Sequence, residues 1–592
     1  MQDYTPPLDD LRFLLDRVLD LPGLLESERF ADLDPELVHD AISEAGRFIS
    51  EVIAPTNAIG DELGTRLLDD GTMETPPGFK EAYDKLVEAG WGALTFDPAY
   101  GGGGFPESVG IVLQEFMVSA NMAFSMAPLL TQGAIHAINS VADEYVTETY
   151  LTRLVTGEWT GTMNLTEPEA GSDVGALRTK AQPNGDGSFA ITGSKIFISW
   201  GDHDMTDNVV HLVLARTPDA PPGTKGISCF VVPKYLVNDD GTLGEANDLK
   251  VVSIEHKMGI HASPTCTMSF GDEGGATGWL LGNEYDGMRV MFVMMNMARL
   301  SVGVQGLGLA ERTLQAATGY ANERVQGRVV GTEKGSTNPI VGHPDVRRML
   351  LDMRALTEAM RGICLLNAVS IDRSKALEDE EERTKAEELT ELLIPVTKAW
   401  CTDMGVEVTS LAVQVYGGMG FVEETGISQY FRDARIAPIY EGTNGIQAMD
   451  LVGRKLPMRM GGVANDTIAD IRATAEALRA DEALAGIGDR LAEATDSLDE
   501  ATQWIFANSG EIRDVLAGAT PYLRLWGIVV GGWILGRSAL AATEWASDGG
   551  PEDFCAEKVR TARWYADQHL SGAAAWVPRA TSGAALMDEC SI

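Results

Sequence analysis

Helical spacing of apolar residues dominates the first part of the chain. From about residue 8 to residue 160, segments such as DLRFLLDRVLDL and FKEAYDKLVEAGWGAL repeat apolar residues at intervals of three and four. These intervals are typical of helices with one buried face. We therefore expect an N-terminal helical domain over 1–160.

Near Thr160 the pattern changes to short β-rich runs. SFAITGSKIFIS, VVHLVLAR and GISCFVVPK are separated by Gly, Pro, Asn and Asp, which is typical of a sheet or a small barrel. This pattern predicts a β domain over 161–281. Helical spacing returns in 282–455, and 456–592 is rich in Ala, Glu and Leu. The expected fold class is α+β, with a helical bundle and an additional helical module after the β domain.

The charge balance restricts the partners. The chain has 46 Lys and Arg against 87 Asp and Glu, a net charge of −41. Such a charge repels nucleic acid and anionic lipid. We expect no nucleic-acid partner, although a few clustered cations could still bind an anionic substrate.

The cysteines and the chain start favour the cytoplasm. The six cysteines are far apart and form no C-x-x-C pair, so buried reduced thiols are expected. The start, MQDYTPPLDDLRFLLD, is acidic and shows no basic segment followed by an apolar one, so no signal peptide is expected.

Neither a membrane span nor a metal site is expected. The longest apolar run, LWGIVVGGWIL at 525–535, is shorter than the roughly 20 residues that a spanning helix needs. His256 and His261 have no third ligand at a recognisable spacing.

Two segments carry candidate chemistry. RIAPIYEGTNGIQ at 435–447 places Glu441 between an aromatic residue and a Gly-Thr-Asn-Gly turn, where an isolated carboxylate is usually a solvated surface charge. GTMNLTEPEAGSDVGALRTKA at 161–181 is rich in small and hydroxylated residues. It could expose backbone N–H groups to a flavin or a phosphate, or it could be an ordinary polar turn. KIFISWG then offers Phe197 and Ser199 for a flat ring to contact.

Five blocks together resemble the acyl-CoA dehydrogenases. LTEPEAGSDVGALRTKA, GSKIFISWG, YANERVQGR, QVYGGMGF and RDARIAPIYEGTNGIQ stand in the order found in that family, and the resemblance covers about 40–455. It implies an N-terminal helical domain, a central β domain and a C-terminal four-helix bundle that together bind FAD. The chain looks most like the larger bacterial members that act on 3-methylmercaptopropionyl-CoA, which implies a short acyl-CoA substrate.

The resemblance also assigns residues to roles. Implied FAD contacts are Met163, Leu165, Thr166, Ser172, Phe197, Ser199, Arg324, Gly417, Gly418 and Thr443. Implied substrate contacts are Ser172, Arg299, Glu441 and Gly442, with Arg299 near the acyl-CoA entrance. Three positions depart from the family pattern, namely the segment after Arg324, Pro344 and Gly445. We therefore expect the part of the FAD site that crosses the dimer interface to differ here.

Within this resemblance Glu441 is the expected catalytic base. Removing hydrogen from Cα and Cβ of a thioester requires a base for the α-proton and a hydride acceptor, which a flavin supplies. Burial beside an acyl chain would raise the pKa of Glu441 towards neutrality, and its backbone N–H could bond the thioester oxygen. Gly442 would let the backbone approach the ligand closely.

The alternatives differ in substrate, acceptor or class. One is a dehydrogenase of medium-chain or long-chain fatty acyl-CoA, since Met117, Met122 and Met126 could line a tunnel or simply form core. A second is an acyl-CoA oxidase, which uses O₂ where a dehydrogenase passes electrons to an electron-transferring flavoprotein. A third is a DNA-binding flavoprotein relative, which the net charge of −41 disfavours. The implied assembly is a homodimer or a dimer of dimers.

Overall fold

The structure is a computed structural model that describes residues 3–333 and 337–591. It contains two compact units that interleave along the chain. Unit 1 comprises Met1–Gly46, Pro106–Ser119 and Arg299–Ile592, and unit 2 comprises Arg47–Phe105 and Ala120–Ala298. The four-segment division at residues 160, 281 and 455 stays a prediction, because these units group spatial contacts and not chain segments.

Unit 1 is helical. Its longest helices that lie wholly within it are Pro344–Ala376 and Glu380–Tyr416, which pack against each other. Its other α-helices, some of which continue into unit 2, are Leu8–Phe13, Leu21–Leu25, Pro35–Phe48, Glu107–Val141, Gly287–Glu323, Ile427–Ala434, Asn444–Asp450, Gly462–Arg479, Ala485–Ala507, Ile512–Ala517, Ala519–Ser547, Glu552–Gln568, Val577–Thr581 and Ala585–Glu589.

Unit 2 is built on an eight-stranded sheet. Its strands are Thr160–Asn164, Lys180–Pro183, Ser188–Ser199, Val209–Ala215, Ser228–Pro233, Leu249–Ile254, Thr265–Phe270 and Ala276–Leu281. Short pairs of strands lie outside this sheet at Arg66–Leu67 with Met73–Glu74 and at Tyr235–Val237 with Leu243–Ala246. Unit 2 also contains the helices Thr56–Leu63, Phe79–Glu88, Glu144–Val146 and Thr152–Val155.

Strand Ser188–Ser199 organises the sheet because it pairs with three neighbours. Its ends pair antiparallel with Thr265–Phe270 and Ala276–Leu281, and Lys180–Pro183 pairs with it as well. Thr160–Asn164 pairs parallel with Val209–Ala215. Buried side chains from these strands, among them Ile191, Ile198, Val213, Phe230, Met268 and Phe270, form the core on one face. The expected change from helix to sheet near residue 160 and the expected α+β fold are confirmed.

The helix Glu107–Val141 is interrupted at Asn121. This residue has φ −160° and ψ 98°, and its side-chain oxygen accepts a hydrogen bond from the Phe124 N–H at 3.0 Å. Asn121 therefore caps the second half of the helix, as Asn commonly does at a helix start. Met117, Met122 and Met126 around this break are all buried, so their role as tunnel lining stays a prediction.

Within the described residues 3–333 and 337–591, three helical segments are long and apolar enough to cross a membrane. They are Glu107–Val141, Gly287–Glu323 and Ile512–Ser547, and 89%, 72% and 83% of their most apolar windows are buried inside the protein. The apolar run at 525–535 thus belongs to a helix longer than the run itself. Length and composition allow a span, whereas packing within the protein already covers most of these side chains.

Candidate active site

The turn that carries Glu441 has an unusual backbone. Glu441 has φ +55° and Gly442 has φ +83°, so two consecutive residues are left-handed. A Cβ at Gly442 would lie 2.8 Å from Nε2 of Gln447, so the end of that side chain would have to move to admit a larger residue. Left-handed backbone at a residue other than Gly costs about 1–3 kcal/mol and is concentrated at functional sites. The turn is therefore held in place by the structure around it.

Asn444 anchors this turn to the helix Glu380–Tyr416. Its side-chain Nδ2 donates to the carbonyl oxygen of Ala399 at 3.1 Å, to Thr402 Oγ1 at 3.1 Å and to Asp403 Oδ1 at 2.7 Å. Its Oδ1 accepts a hydrogen bond from Lys398 Nζ at 2.9 Å. Both ends of the amide are thus satisfied, which fixes the orientation of Asn444.

The residues after the turn form a short capped helix. Thr443 Oγ1 accepts from the Ile446 N–H at 3.2 Å and caps Asn444–Asp450. The buried side chain of Gln447 reaches back from this helix and donates to the carbonyl oxygen of Gly442 at 3.2 Å. The turn is therefore held from both sides.

Glu441 lies among buried charges. Burial raises the pKa of its carboxyl group to about 7, although the positive charges of Lys398 and Arg299 oppose this change. Burial in turn lowers the pKa of Lys398 to about 7, against the influence of Glu441 and Asp403. A carboxylate with a pKa near neutrality is suited to accept a proton at physiological pH.

Arg299, the residue expected near the acyl-CoA entrance, is held by a neighbouring carboxylate. Its side chain is buried, and Nη1 forms an ion pair with Asp450 Oδ2 at 2.8 Å. Asp450 holds the guanidinium inside the helical core, and the expected position of Arg299 near the acyl-CoA entrance stays a prediction. The positive charge of Arg299 lowers the pKa of Glu441, and its contact with substrate stays a prediction.

In unit 2, Phe197 is presented by a β-bulge. The pairing between Ser188–Ser199 and Thr265–Phe270 shifts register between Cys266 and Met268, and Phe197 has φ +58° and is 57% exposed. A bulge commonly redirects a side chain beside an active site. The exposed, left-handed aromatic fits the expected role of supporting a flat ring.

The segment that contains Met163, Leu165 and Thr166 lies beside this bulge. The Ile196 N–H donates to the carbonyl oxygen of Thr166 at 2.9 Å, and Thr162 Oγ1 donates to the carbonyl oxygen of Ser199 at 2.7 Å. Unit 2 therefore brings the expected flavin-facing residues 163–166 close to 197–199 at the end of strand Ser188–Ser199. Ser172 lies further along the same segment and is exposed.

A buried ion pair fixes this segment. Lys195 Nζ lies 2.8 Å from Glu167 Oε1 and also donates to the carbonyl oxygen of Leu165 at 3.1 Å. Glu167 accepts further hydrogen bonds from the Arg178 N–H and from the N–H and hydroxyl of Thr179. Burial would raise the pKa of Glu167, but Lys195 and these donors lower it below the ordinary value. Glu167 therefore stays ionised.

The remaining predicted FAD contacts lie on exposed parts of unit 1. Gly417 has φ +61° and ends the helix Glu380–Tyr416, and Gly418 follows it. Arg324 directly follows the helix Gly287–Glu323 and is exposed. Their contacts with FAD stay predictions. Among residues 3–333 and 337–591 no group of three or more His, Cys, Asp or Glu is arranged to hold a metal ion.

Four supporting residues were not predicted from the sequence. Lys195, Glu167, Lys398 and Asn444 orient the candidate site residues, yet each occurs in a segment with no distinctive charge pattern of its own. The one available signal was the polarity of Glu167 and Asn444 within the two candidate segments. Lys195 and Lys398 lie within a strand and a helix, where a Lys would ordinarily be expected at the surface.

Family profiles match four consecutive parts of the chain. The acyl-CoA dehydrogenase N-terminal domain matches residues 41–158, the middle domain 162–272 and the C-terminal domain 285–456. A further profile, acetyl-CoA dehydrogenase C-terminal like, matches residues 467–589. Together these profiles cover most of the chain.

Individual proteins are similar over most of its length as well. The chain is 44% identical to the 3-methylmercaptopropionyl-CoA dehydrogenase of Ruegeria pomeroyi over 96% of each chain. It is 38% identical to a butyryl-CoA dehydrogenase of Syntrophomonas wolfei, covering 79% of this chain and 78% of that one. An acyl-CoA dehydrogenase from Bacillus anthracis, solved in complex with FAD, shares the fold with a TM-score of 0.74 at 22% identity, over 96% of this chain and 91% of that one.

Proposed function

The chain belongs to the acyl-CoA dehydrogenase family, and on this premise we propose that it oxidises 3-methylmercaptopropionyl-CoA between Cα and Cβ, with Glu441 as the base. Membership makes it an oxidoreductase with FAD as cofactor. The observation that supports this substrate is the 44% identity to the Ruegeria pomeroyi enzyme over 96% of both chains.

The residues of unit 1 supply the base. In the proposed reaction the Glu441 carboxylate takes the α-proton, and the product is 3-(methylthio)acryloyl-CoA. The pKa of about 7 keeps a substantial fraction ionised at neutral pH, while burial strengthens the carboxylate as a base. The left-handed turn, anchored by Asn444, fixes where this carboxylate stands.

The residues of unit 2 fit the cofactor. Phe197 offers an exposed aromatic face, and the adjacent Leu165 and Thr166 are partly exposed. These residues would hold the flavin ring, and bound FAD supplies the acceptor for the β-hydride. Lys195 and Glu167 keep the segment in shape for that contact.

Glu441→Gln tests the role of the base. The amide has nearly the same size, so the variant should keep FAD and acyl-CoA binding but lose turnover by about 10²–10⁴-fold, as removal of a proton-transfer group does. FAD absorbance, acyl-CoA binding titration and steady-state rates measure the three properties. A variant that retains more than about a hundredth of the wild-type rate would show that another group removes the proton.

A substrate series tests the acyl group. Rates with 3-methylmercaptopropionyl-CoA, butyryl-CoA and C8 to C16 acyl-CoAs should be highest for the short thioesters. Pentanoyl-CoA is the matched control, because it replaces the sulfur by a CH₂ group at the same chain length. A preference for 3-methylmercaptopropionyl-CoA over pentanoyl-CoA would establish recognition of sulfur, and a preference for C12 or longer chains would contradict the proposal.

We further propose an electron-transferring flavoprotein as acceptor and a homodimer as the assembly. Family membership supports the acceptor, and the exposed Arg324 offers a cation that could reach a neighbouring subunit. Reoxidation of the reduced enzyme in air-saturated buffer distinguishes the alternatives. Slow reoxidation supports the flavoprotein acceptor, whereas fast reoxidation would identify an acyl-CoA oxidase.

A further inference from the structure

Lys398 is a buried cation without a carboxylate partner. Its side chain has no exposed surface, and in the described parts of the chain it forms no ion pair, although the charges of Glu441 and Asp403 act on it from a distance. Its hydrogen bond goes to the neutral Oδ1 of Asn444, at 2.9 Å. A buried, unpaired Lys is costly to maintain and is rarely found without a function.

The position of Lys398 connects it with Glu441 in two ways. Through Asn444 it holds the turn in which Glu441 lies three residues earlier. Through space its positive charge lowers the pKa of Glu441 and is second only to burial among the influences on that carboxyl group. Lys398 thus contributes both to the position of Glu441 and to the pKa of its carboxyl group.

Other charged groups around Glu441 are largely compensated. Arg299, from the helix Gly287–Glu323, is paired with Asp450 from Asn444–Asp450. Asp403, on the same helix as Lys398, accepts from Asn444, and burial raises its pKa although Arg524 and Arg435 oppose this. Tyr440 beside Glu441 keeps its proton, because burial and the charge of Glu441 raise its pKa, and its hydroxyl bonds Gln305. Lys398 is therefore the cation near Glu441 that forms no ion pair among the described residues, and burial lowers its own pKa to about 7 against the charges of Glu441 and Asp403.

We propose that Lys398 is a positioning residue for the base, which holds the Glu441 turn through its hydrogen bond to Asn444 and favours the ionised form of the Glu441 carboxylate. This inference rests on the proposed role of Glu441. Without the ammonium group, only Arg299 would oppose the effect of burial on Glu441, and the neutral acid would predominate at pH 7. The neutral acid cannot take the α-proton, so the fraction of active enzyme would fall.

The test is the pH dependence of kcat/KM in Lys398→Met, Lys398→Arg and the wild type. The Met variant should move the midpoint of the acid limb upward by about one pH unit, because a nearby opposite charge typically lowers a carboxyl pKa by about that much or more. The ionised fraction of Glu441 at pH 7 would then fall from about one half to about one tenth, so the rate at pH 7 should fall about fivefold. The Arg variant keeps a permanent charge, so its midpoint should stay at or below that of the wild type.

A second readout follows the carboxyl group directly. Infrared difference spectra between acid and neutral pH should show a carboxyl band that Glu441→Gln abolishes, and this band should titrate at higher pH in Lys398→Met. Lys385→Met is the matched control, because Lys385 lies on the same helix but is 67% exposed and pairs with Asp470. This control should leave the pH profile unchanged.

The outcomes separate this inference from the function that it rests on. An unchanged midpoint in Lys398→Met overturns it, whatever happens to the maximal rate. If the Met variant does not retain FAD, Lys398→Gln replaces it, because this change removes the charge but keeps a hydrogen-bond donor. The midpoint of the acid limb of Lys398→Gln should then rise by the same amount. Activity in Glu441→Gln would instead refute Glu441 as the base, and the acid limb would belong to another group.

Discussion

At the scale of single residues, the backbone of the turn explains why the Glu441 carboxylate can act as a base. A carboxylate in a flexible loop would be solvated and ordinarily acidic, with no reason to act as a base. Here the left-handed angles of Glu441 and Gly442 place the carboxyl group in a partly buried position, and burial then raises its pKa. The position of the residue thus determines its chemistry.

Gly442→Ala should impair this turn. The new Cβ would stand 2.8 Å from Gln447 Nε2 at φ +83°, and left-handed backbone costs an Ala about 1–2 kcal/mol. We expect kcat to fall at least tenfold with FAD retained, because small displacements of a catalytic group strongly reduce rates. Gly445→Ala is the control, since a Cβ there meets only Thr443 Oγ1 at 3.7 Å. Equal rates in the two variants would show that the turn tolerates displacement.

The ionisation of Glu441 also predicts how activity depends on pH. Its folded pKa of about 7 lies above the ordinary 4.5 because burial disfavours the charged form. The base must be deprotonated, so kcat/KM should rise with pH and reach half of its plateau near pH 7. A profile that is flat between pH 5.5 and pH 8, about 1.5 units below and 1 unit above the expected midpoint, would contradict this assignment.

At the scale of elements, a buried ion pair shapes the flavin-facing segment of unit 2. Lys195 comes from the central strand Ser188–Ser199, whereas Glu167 comes from the irregular segment that follows Thr160–Asn164. The pair therefore ties irregular backbone to the sheet. This contact gives the residues around Thr166 a fixed shape that a polar turn would otherwise lack.

Glu167→Gln should loosen that segment. Removing one partner leaves the Lys195 charge buried and unpaired, which typically costs about 3–5 kcal/mol. We expect weaker FAD binding and a lower unfolding temperature, measured by FAD fluorescence release and calorimetry. Glu169→Gln removes the nearby ion pair with Arg178, whose side chains are 61% and 77% exposed. This control should change stability by less than about 1 kcal/mol, as exposed pairs do. Similar losses in both variants would contradict a special role for the buried pair.

Local sequence patterns predicted where helices and strands lie, but they did not predict the contacts between distant parts of the chain. The change to β-rich texture near Thr160 was predictable because alternation and turn residues are local properties, and a strand begins there. The Glu441 turn was predictable from the Tyr-Glu-Gly-Thr-Asn series. Lys398 was not, because its importance comes from a hydrogen bond to Asn444, 46 residues away.

The helix break at Asn121 and the packing of the C-terminal helices are two further features that local sequence patterns do not reveal. Apolar spacing on both sides of Asn121 is helical, and the break is visible only from its backbone angles. The added module expected over 456–592 stays a prediction, and only the structure shows that its helices lie in one compact unit with the bundle. Long-range packing of this kind leaves no local signal in the sequence.

At the scale of the whole molecule, residues 456–592, about a quarter of the chain, belong to the same compact unit as Glu441. Gly527 and Gly362 allow the helix Ala519–Ser547 to pack closely, since a Cβ at these positions would lie 2.1 Å from Trp400 and 2.7 Å from Ile534. Lys558 adds buried ion pairs with Asp10 and Glu358. The helix that carries Lys398 is thus covered by residues more than a hundred positions later.

A chain that ends after Gly461 should therefore fail to form a stable catalytic unit. The truncation would expose the buried face around Trp400 and remove the Lys558 charge from its partners, and large apolar surfaces left in water favour aggregation. We expect poor solubility, loss of FAD and no turnover, measured by sedimentation, absorbance and rate. A chain that ends after Ala584 is the control, because the helix Ala585–Glu589 has no buried residues. If the chain that ends after Gly461 is soluble and binds FAD, the bundle folds independently of the C-terminal helices.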